Sequence, residues 1–171
     1  MNVTRRALLV CATAGLASTW AGAGLAASST VRVGLWDRGA TSMNMLGQGP
    51  MMGMGMGQGA HHGPMGPMGV KLSTSTVPAG RVTFRVLNQS KALIHEMVIS
   101  PVKDTNAPLP YDQAGNKVDE DAAGHLGEVA ELEPGRSGVL TLDLKPGTYI
   151  LYCNVAGHYA LGMWALLSVK G

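Results

Sequence analysis

The sequence is poor in cysteine, in charge and in unbroken apolar stretches, and each shortage removes a class of protein. Only Cys11 and Cys153 are present, too few for a disulfide-stapled scaffold. Charged residues make up 14% of the chain, with an excess of +2. Without Arg5 and Arg6, which fall in the leader described below, 11 of the 13 basic residues stand against 11 acids, so there is no basic footprint for a nucleic acid. The one long apolar run, residues 7–25, is interrupted by Gly15, Gly22 and Gly24 and holds few strong hydrophobes, which argues against a membrane anchor. No amphipathic helix stands out. The few histidines assemble no nucleophile with an adjacent base and orienter, so neither hydrolase nor transferase chemistry is supported.

What is present begins with a leader. Residues 1–27 read as a secretory signal peptide: Arg5-Arg6, the apolar run, then small residues around Gly24-Leu25-Ala26-Ala27. The run Thr4-Arg5-Arg6-Ala7-Leu8-Leu9 also resembles a twin-arginine signal, and export to the periplasm by that route or by the general secretory route fits. Val10 stands before Cys11 where a lipoprotein site has a small residue, so Cys11 is not read as an anchor. Cleavage takes Cys11 away. Cys153 is then a lone thiol in an oxidising compartment, either buried and inert, or metal-binding, or reactive.

The rest of the chain is long enough for one domain. Region 28–42 opens with Val31-Arg32-Val33-Gly34-Leu35, whose alternation predicts a strand. Residues 43–69 are dominated by Met, Gly, Gln and Pro and carry no charge, which predicts a disordered insert. Residues 70–171 are all-β in pattern: Val82, Phe84 and Val86 alternate with Arg81, Thr83 and Arg85, and Leu140, Leu142 and Leu144 with Val139, Thr141 and Asp143. Pro78-Ala79-Gly80, Pro134-Gly135 and Pro146-Gly147 mark turns. Residues 103–125 are polar and irregular, a long connection with room for one short helix, and the acids from Asp104 to Glu133 read as a solvated loop before a docking patch. The expected fold is an all-β, Greek-key β-sandwich of about seven or eight strands.

Chemistry concentrates near the C-terminus. Alternation puts Tyr149, Leu151 and Cys153 on one face of a strand, and Met163, Ala165, Leu167 and Val169 on one face of the next. The loop between, with Gly157 and Gly162 as flexible points, carries His158. Thiolate, imidazole and thioether thus come from one loop, and a second imidazole would complete the His₂Cys site with weak axial Met that suits copper. His95 is the candidate, since it shares a face with Met97 and Ile99 and an inward histidine requires a partner.

Cys153, four residues, His158, four residues, Met163, preceded by His95, resembles the cupredoxins, with a ligand loop of the rusticyanin and sulfocyanin kind. The resemblance spans about residues 70–171. It implies a Greek-key sandwich, one type 1 copper held by His95, Cys153, His158 and Met163, cycling between Cu(I) and Cu(II), and no catalysis at a closed site. Many cupredoxins carry Asn after the first His; Glu96 stands there here, which alters the hydrogen bonds that set the potential.

Eight methionines, Met43, Met45, Met51, Met52, Met54, Met56, Met65 and Met68, lie in the insert beside His61 and His62. Thioethers favour Cu(I) and stay usable where thiols oxidise, so these residues, with His125, are candidate accessory copper ligands. The insert also resembles Met/His-rich segments of periplasmic copper-tolerance cupredoxins. The expected function is copper homeostasis or tolerance by a monomer that binds copper ions and docks a redox partner near His158, with room for weak cuprous oxidase activity. The alternatives are a respiratory or photosynthetic electron carrier, and a domain that donates copper to an oxidase.

Overall fold

The computed structural model describes residues 28–48 and 66–171. The expected signal peptide and the centre of the expected insert, 49–65, lie outside the described residues.

Alternation builds the strands where it was read. In chain order they are β1 (Ser28–Asp37), β2 (Met68–Leu72), β3 (Thr76–Pro78), β4 (Gly80–Asn88), β5 (His95–Val102), β6 (Tyr111–Asp112), β7 (Lys117–Val118), β8 (Gly127–Leu132), β9 (Ser137–Leu144), β10 (Gly147–Tyr152) and β11 (Trp164–Lys170). A 3-10 helix, Ala40–Met45, follows β1, and one turn of α-helix, α1 (Glu120–Ala123), follows β7. One sheet has the order β2-β1-β4-β9, the other β3-β11-β10-β5-β8, and β6 and β7 form a separate hairpin. The chain crosses between sheets so that β1 lies parallel to β4 and β3 parallel to β11. Among the described residues no helix is long and apolar enough to cross a membrane.

Inward parity fills the space between the sheets. Val31, Val33 and Leu35 face Val82, Phe84 and Val86 within one sheet, and the other contributes Met97, Ile99, Leu151, Leu167 and Val169, all buried. The opposite parity of the first sheet is wet, with Arg32 and Arg85 exposed. That of the second sheet is not. Val98, Ile150, Tyr152 and Trp164 form a second core with Leu109, Val118, Ala123 and Tyr159.

Three features depart from the sequence reading. Nine strands, not seven or eight, make the two sheets, because the three-residue β3 and the Gly-containing β2 are too short or too bland to register as alternation. The Met-rich run is folded at both ends: Ala40–Met45 is helical, and Met68, 2% exposed, starts β2 paired with Asp37. Residues 103–126 are more than a polar connection, since they lay a third layer over the outer face of the second sheet with only a handful of apolar side chains.

Asn88, at the end of β4, ties three segments together. Its Nδ2 donates to the Leu93 and Leu132 carbonyls at 2.9 and 2.8 Å, and its Oδ1 accepts from the Ser90 N–H at 2.9 Å. This fixes the turn that delivers the chain to His95. Asn88→Ala leaves two carbonyls and an N–H without a partner, at about 1–3 kcal/mol each before relaxation. The expected outcome is a loss of roughly 2–4 kcal/mol, read from the urea midpoint at unchanged slope.

Candidate metal centre

His95 opens β5, Cys153 follows the last residue of β10, and these neighbouring strands pair antiparallel through Ile99↔Leu151 and Val98↔Tyr152. Both side chains therefore reach the same end of the sandwich interior. Beyond Cys153 the chain turns out and back in a compact loop: His158 N–H donates to the Val155 carbonyl, Leu161 N–H to Gly157, and Met163 N–H to the His158 carbonyl at 3.1 Å. Gly157 and Gly162 have φ of 84° and 89°, where a side chain would be strained, as the sequence suggested. Cys153 N–H closes the loop on the Met163 carbonyl at 3.0 Å.

The donors converge tightly. His95 Nδ1 lies 3.2 Å from His158 Nδ1 and 3.9 Å from Cys153 Sγ, and His158 Nδ1 lies 3.3 Å from that sulfur. A point in the plane of this triangle is about 2.0 Å from all three atoms, the length of metal–imidazole bonds and close to that of metal–thiolate bonds. The residues therefore fit a metal ion. His95 and Cys153 are 0% exposed and His158 3%. Met163, also 0% exposed, belongs to the same core cluster as Cys153.

Burial makes the donors neutral. It pushes the Cys153 thiol up to about 12, against smaller opposing effects of N–H groups of Glu96 and Val155 on the sulfur. Burial, then the neighbouring His95, brings His158 down to about 4. Burial also lowers His95, although Asp37 opposes it. Glu96 is raised to about 7, first by burial and then by Glu120 and Glu128. Its N–H, where the β5–β8 register slips between His95 and Met97, donates to Cys153 Sγ at 3.4 Å.

Asp37 is a site residue the sequence reading missed. Its Oδ2 lies 2.8 Å from His95 Nε2, across the gap between the two sheets, with side-chain exposures of 1% and 0%. Burial pushes this carboxyl up, but hydrogen bonds from Ser90, His95 and Gly39 outweigh it and the net shift is downward. A carboxylate only accepts, so His95 carries its proton on Nε2 and turns a lone pair on Nδ1 toward the cluster. The available signal was parity: Val31, Val33, Leu35 and Asp37 share the inward face of β1.

Among the described residues, the other predicted ligands, Met43, Met45, Met68 and His125, are not brought together with these. Met68 is packed in the core. Met43 is half-buried and, with Leu46, covers Gly157: a Cβ there would sit 3.2 Å from Met43 Cε and 2.8 Å from Leu46 Cδ2. Met45 is exposed. His125 is exposed beyond α1, and among the described residues His95, Cys153 and His158 are the one group of metal-donor type. Met51, Met52, Met54, Met56, His61, His62 and Met65 lie outside the described residues.

The pH dependence of the metal-free protein tests this electrostatic picture. His158 titrates near 4 when folded and near 6.5 when unfolded, so acid draws protons to the unfolded chain and removes roughly 3 kcal/mol in full between those values. Glu96, about 7 folded against 4.5 unfolded, takes up protons in the folded state over an overlapping range and offsets that loss. Glu96→Gln removes the offset. Urea unfolding between pH 6.5 and 4.5 is then expected to show stability falling with acid more steeply than in the parent, by up to about 1.4 kcal/mol per pH unit.

No family model matches the chain, and no curated protein matches it in sequence. Solved structures do match. Reduced rusticyanin aligns at 18% identity over 84% of this chain and 79% of that one, with a TM-score of 0.52. Rusticyanin from Thiobacillus ferrooxidans aligns at 16% identity over 84% and 77%, with a TM-score of 0.53. Two facing sheets, the register of β5 on β10 and the loop from Cys153 to Met163 thus form one recognisable architecture: this chain has the cupredoxin fold.

Proposed function

We propose that the protein is an exported copper-binding electron-transfer protein that serves copper homeostasis or tolerance in the periplasm. The observation that carries the reading is the triangle of two imidazole nitrogens and one thiol, all buried from solvent. A lone, fully buried thiol that touches two histidines at 3.3 and 3.9 Å is a metal ligand set, since apolar packing would not gather three polar donors where water is excluded. His95, Cys153 and His158 would hold the ion, with Met163 as a fourth, weaker ligand. Copper bound there supplies a one-electron couple. The chain's part is to present donors already in place, to exclude water with the core around them, and to bring the Cys153 sulfur two N–H groups that temper its charge.

Homeostasis is preferred over a respiratory or photosynthetic carrier because of the methionines. A carrier has no use for Met51, Met52, Met54, Met56 and Met65 with His61 and His62, all within one uncharged run. These side chains would collect Cu(I), and the buried centre would store it or, loaded with Cu(II), accept its electron and pass it to a docked redox partner; with dioxygen as the final acceptor this is a weak cuprous oxidase activity. A partner would dock near His158, on the side where Met43 and Leu46 meet the loop.

Adding Cu(II) to the purified protein is expected to give an intense thiolate-to-copper band that Cys153→Ser lacks; a colourless parent defeats the copper reading. With the thiol held near 12, copper uptake at neutral pH must release its proton. Apparent Cu(II) affinity, measured by competition with a chelator, therefore rises about tenfold per pH unit above pH 7. Replacing the seven Met and His residues between 51 and 65 with Leu and Gln should lower copper stoichiometry to one and reduce the cell's copper tolerance. Unchanged tolerance favours the carrier.

A further inference from the structure

We propose that Asp37 is a positioning residue of this centre, one that holds His95 by Nε2 and lowers the reduction potential of copper by placing a fixed negative charge one imidazole ring away. The inference rests on the copper reading above and deepens it.

The geometry separates Asp37 from an ordinary structural acid. It sits on the inward face of β1, on the same parity as Val31, Val33 and Leu35, where a carboxylate is costly unless it is fully hydrogen-bonded. Two donors are in hydrogen-bond contact with it: Gly39 N–H reaches Oδ1 at 2.6 Å and His95 Nε2 reaches Oδ2 at 2.8 Å, and the nearby Ser90 side chain helps to hold the carboxyl ionised. The Ser90 oxygen already accepts from the Ala92 and Leu93 N–H groups, at 3.0 and 2.8 Å, which leaves its own proton for Asp37. The carboxylate thus has a fixed set of donors and a fixed direction.

Two consequences follow for the metal. The ring of His95 is locked with its Nδ1 lone pair toward Cys153 and His158, so the donor triangle exists without the ion. Negative charge passed through the imidazole also makes Nδ1 a stronger donor, which favours Cu(II) over Cu(I). Ser90, whose side chain favours the ionised carboxyl, draws part of that charge toward its own hydroxyl.

The experiment compares the parent with Asp37→Asn and Ser90→Ala. An amide in place of Asp37 keeps the shape and an acceptor for Nε2–H but has no charge. With the thiolate band retained, Cu(II) affinity in Asp37→Asn is expected to fall about 10–100-fold and Cu(I) affinity to fall less. Each tenfold of difference between the two losses raises the reduction potential by about 59 mV. Ser90→Ala leaves more of the carboxylate's charge on His95 and should move the potential the other way. If Asp37→Asn does not fold, Ser90→Ala carries the test. A readout without copper is nitrogen-resolved NMR of the metal-free parent, expected to show His95 protonated at Nε2 and protected from exchange. An intact band with an unmoved potential in both variants overturns the proposal, as does a His95 ring protonated at Nδ1. A parent without any thiolate band overturns the copper reading instead, and the NMR result still decides whether Asp37 holds the ring.

Discussion

The hydrogen bond between His95 Nε2 and Asp37 joins the two sheets at the end of the sandwich where the donors meet. Several local features follow from that link. β1 must extend two residues past Leu35 to bring Asp37 inward, and the chain then leaves the sheet through Gly39, at φ 104°, whose N–H caps the same carboxylate. The 3-10 helix that begins there sets Met43 and Leu46 over Gly157. On the other side, Asn88 and Ser90 shape the turn into β5 so that His95 arrives facing the carboxylate. Packing alone would hold the sheets together. It would not choose which nitrogen of His95 faces the thiol.

The loop that carries His158 is held from outside as well. Asn154 uses both ends of its amide on β7, accepting from Val118 N–H at 2.7 Å and donating to the Val118 carbonyl at 3.0 Å, and Gly157 N–H donates to the Asn116 carbonyl at 2.7 Å. The third layer, residues 103–126, therefore clamps the loop while it covers the outer core. Acids that read as a solvated stretch take part: Asp119 caps α1 through Ala122 N–H, and Glu120 accepts from Asn154 Nδ2.

Most of the centre was legible because strands have a period of two. Parity alone put Cys153 with Leu151, Met163 with Leu167, and His95 with Met97, and all six lie in one core cluster or at its edge. Parity would also have reached Asp37, but an acid after Trp36 reads as the end of a strand, and only the facing sheet shows what it is for. The third layer escaped for a different reason: Leu109, Val118 and Ala123 are spread too thinly to form a pattern, and their burial depends on the apolar outer face of another sheet. Composition misled at Met68. Its neighbours are Gly and Pro, yet β1 supplies the backbone partners that make it a strand.

One small clasp remains. Arg38 N–H and the Ser42 hydroxyl both bind the Pro67 carbonyl, at 2.9 and 3.0 Å, so the chain that departs after the 3-10 helix returns to the place it left. These two hydrogen bonds fasten the chain on both sides of residues 49–65 to the end of β1, so the sandwich is closed there by described residues alone. The clasp therefore lets the chain lengthen or shorten between residues 48 and 66 while the sandwich and its buried donor cluster keep their place.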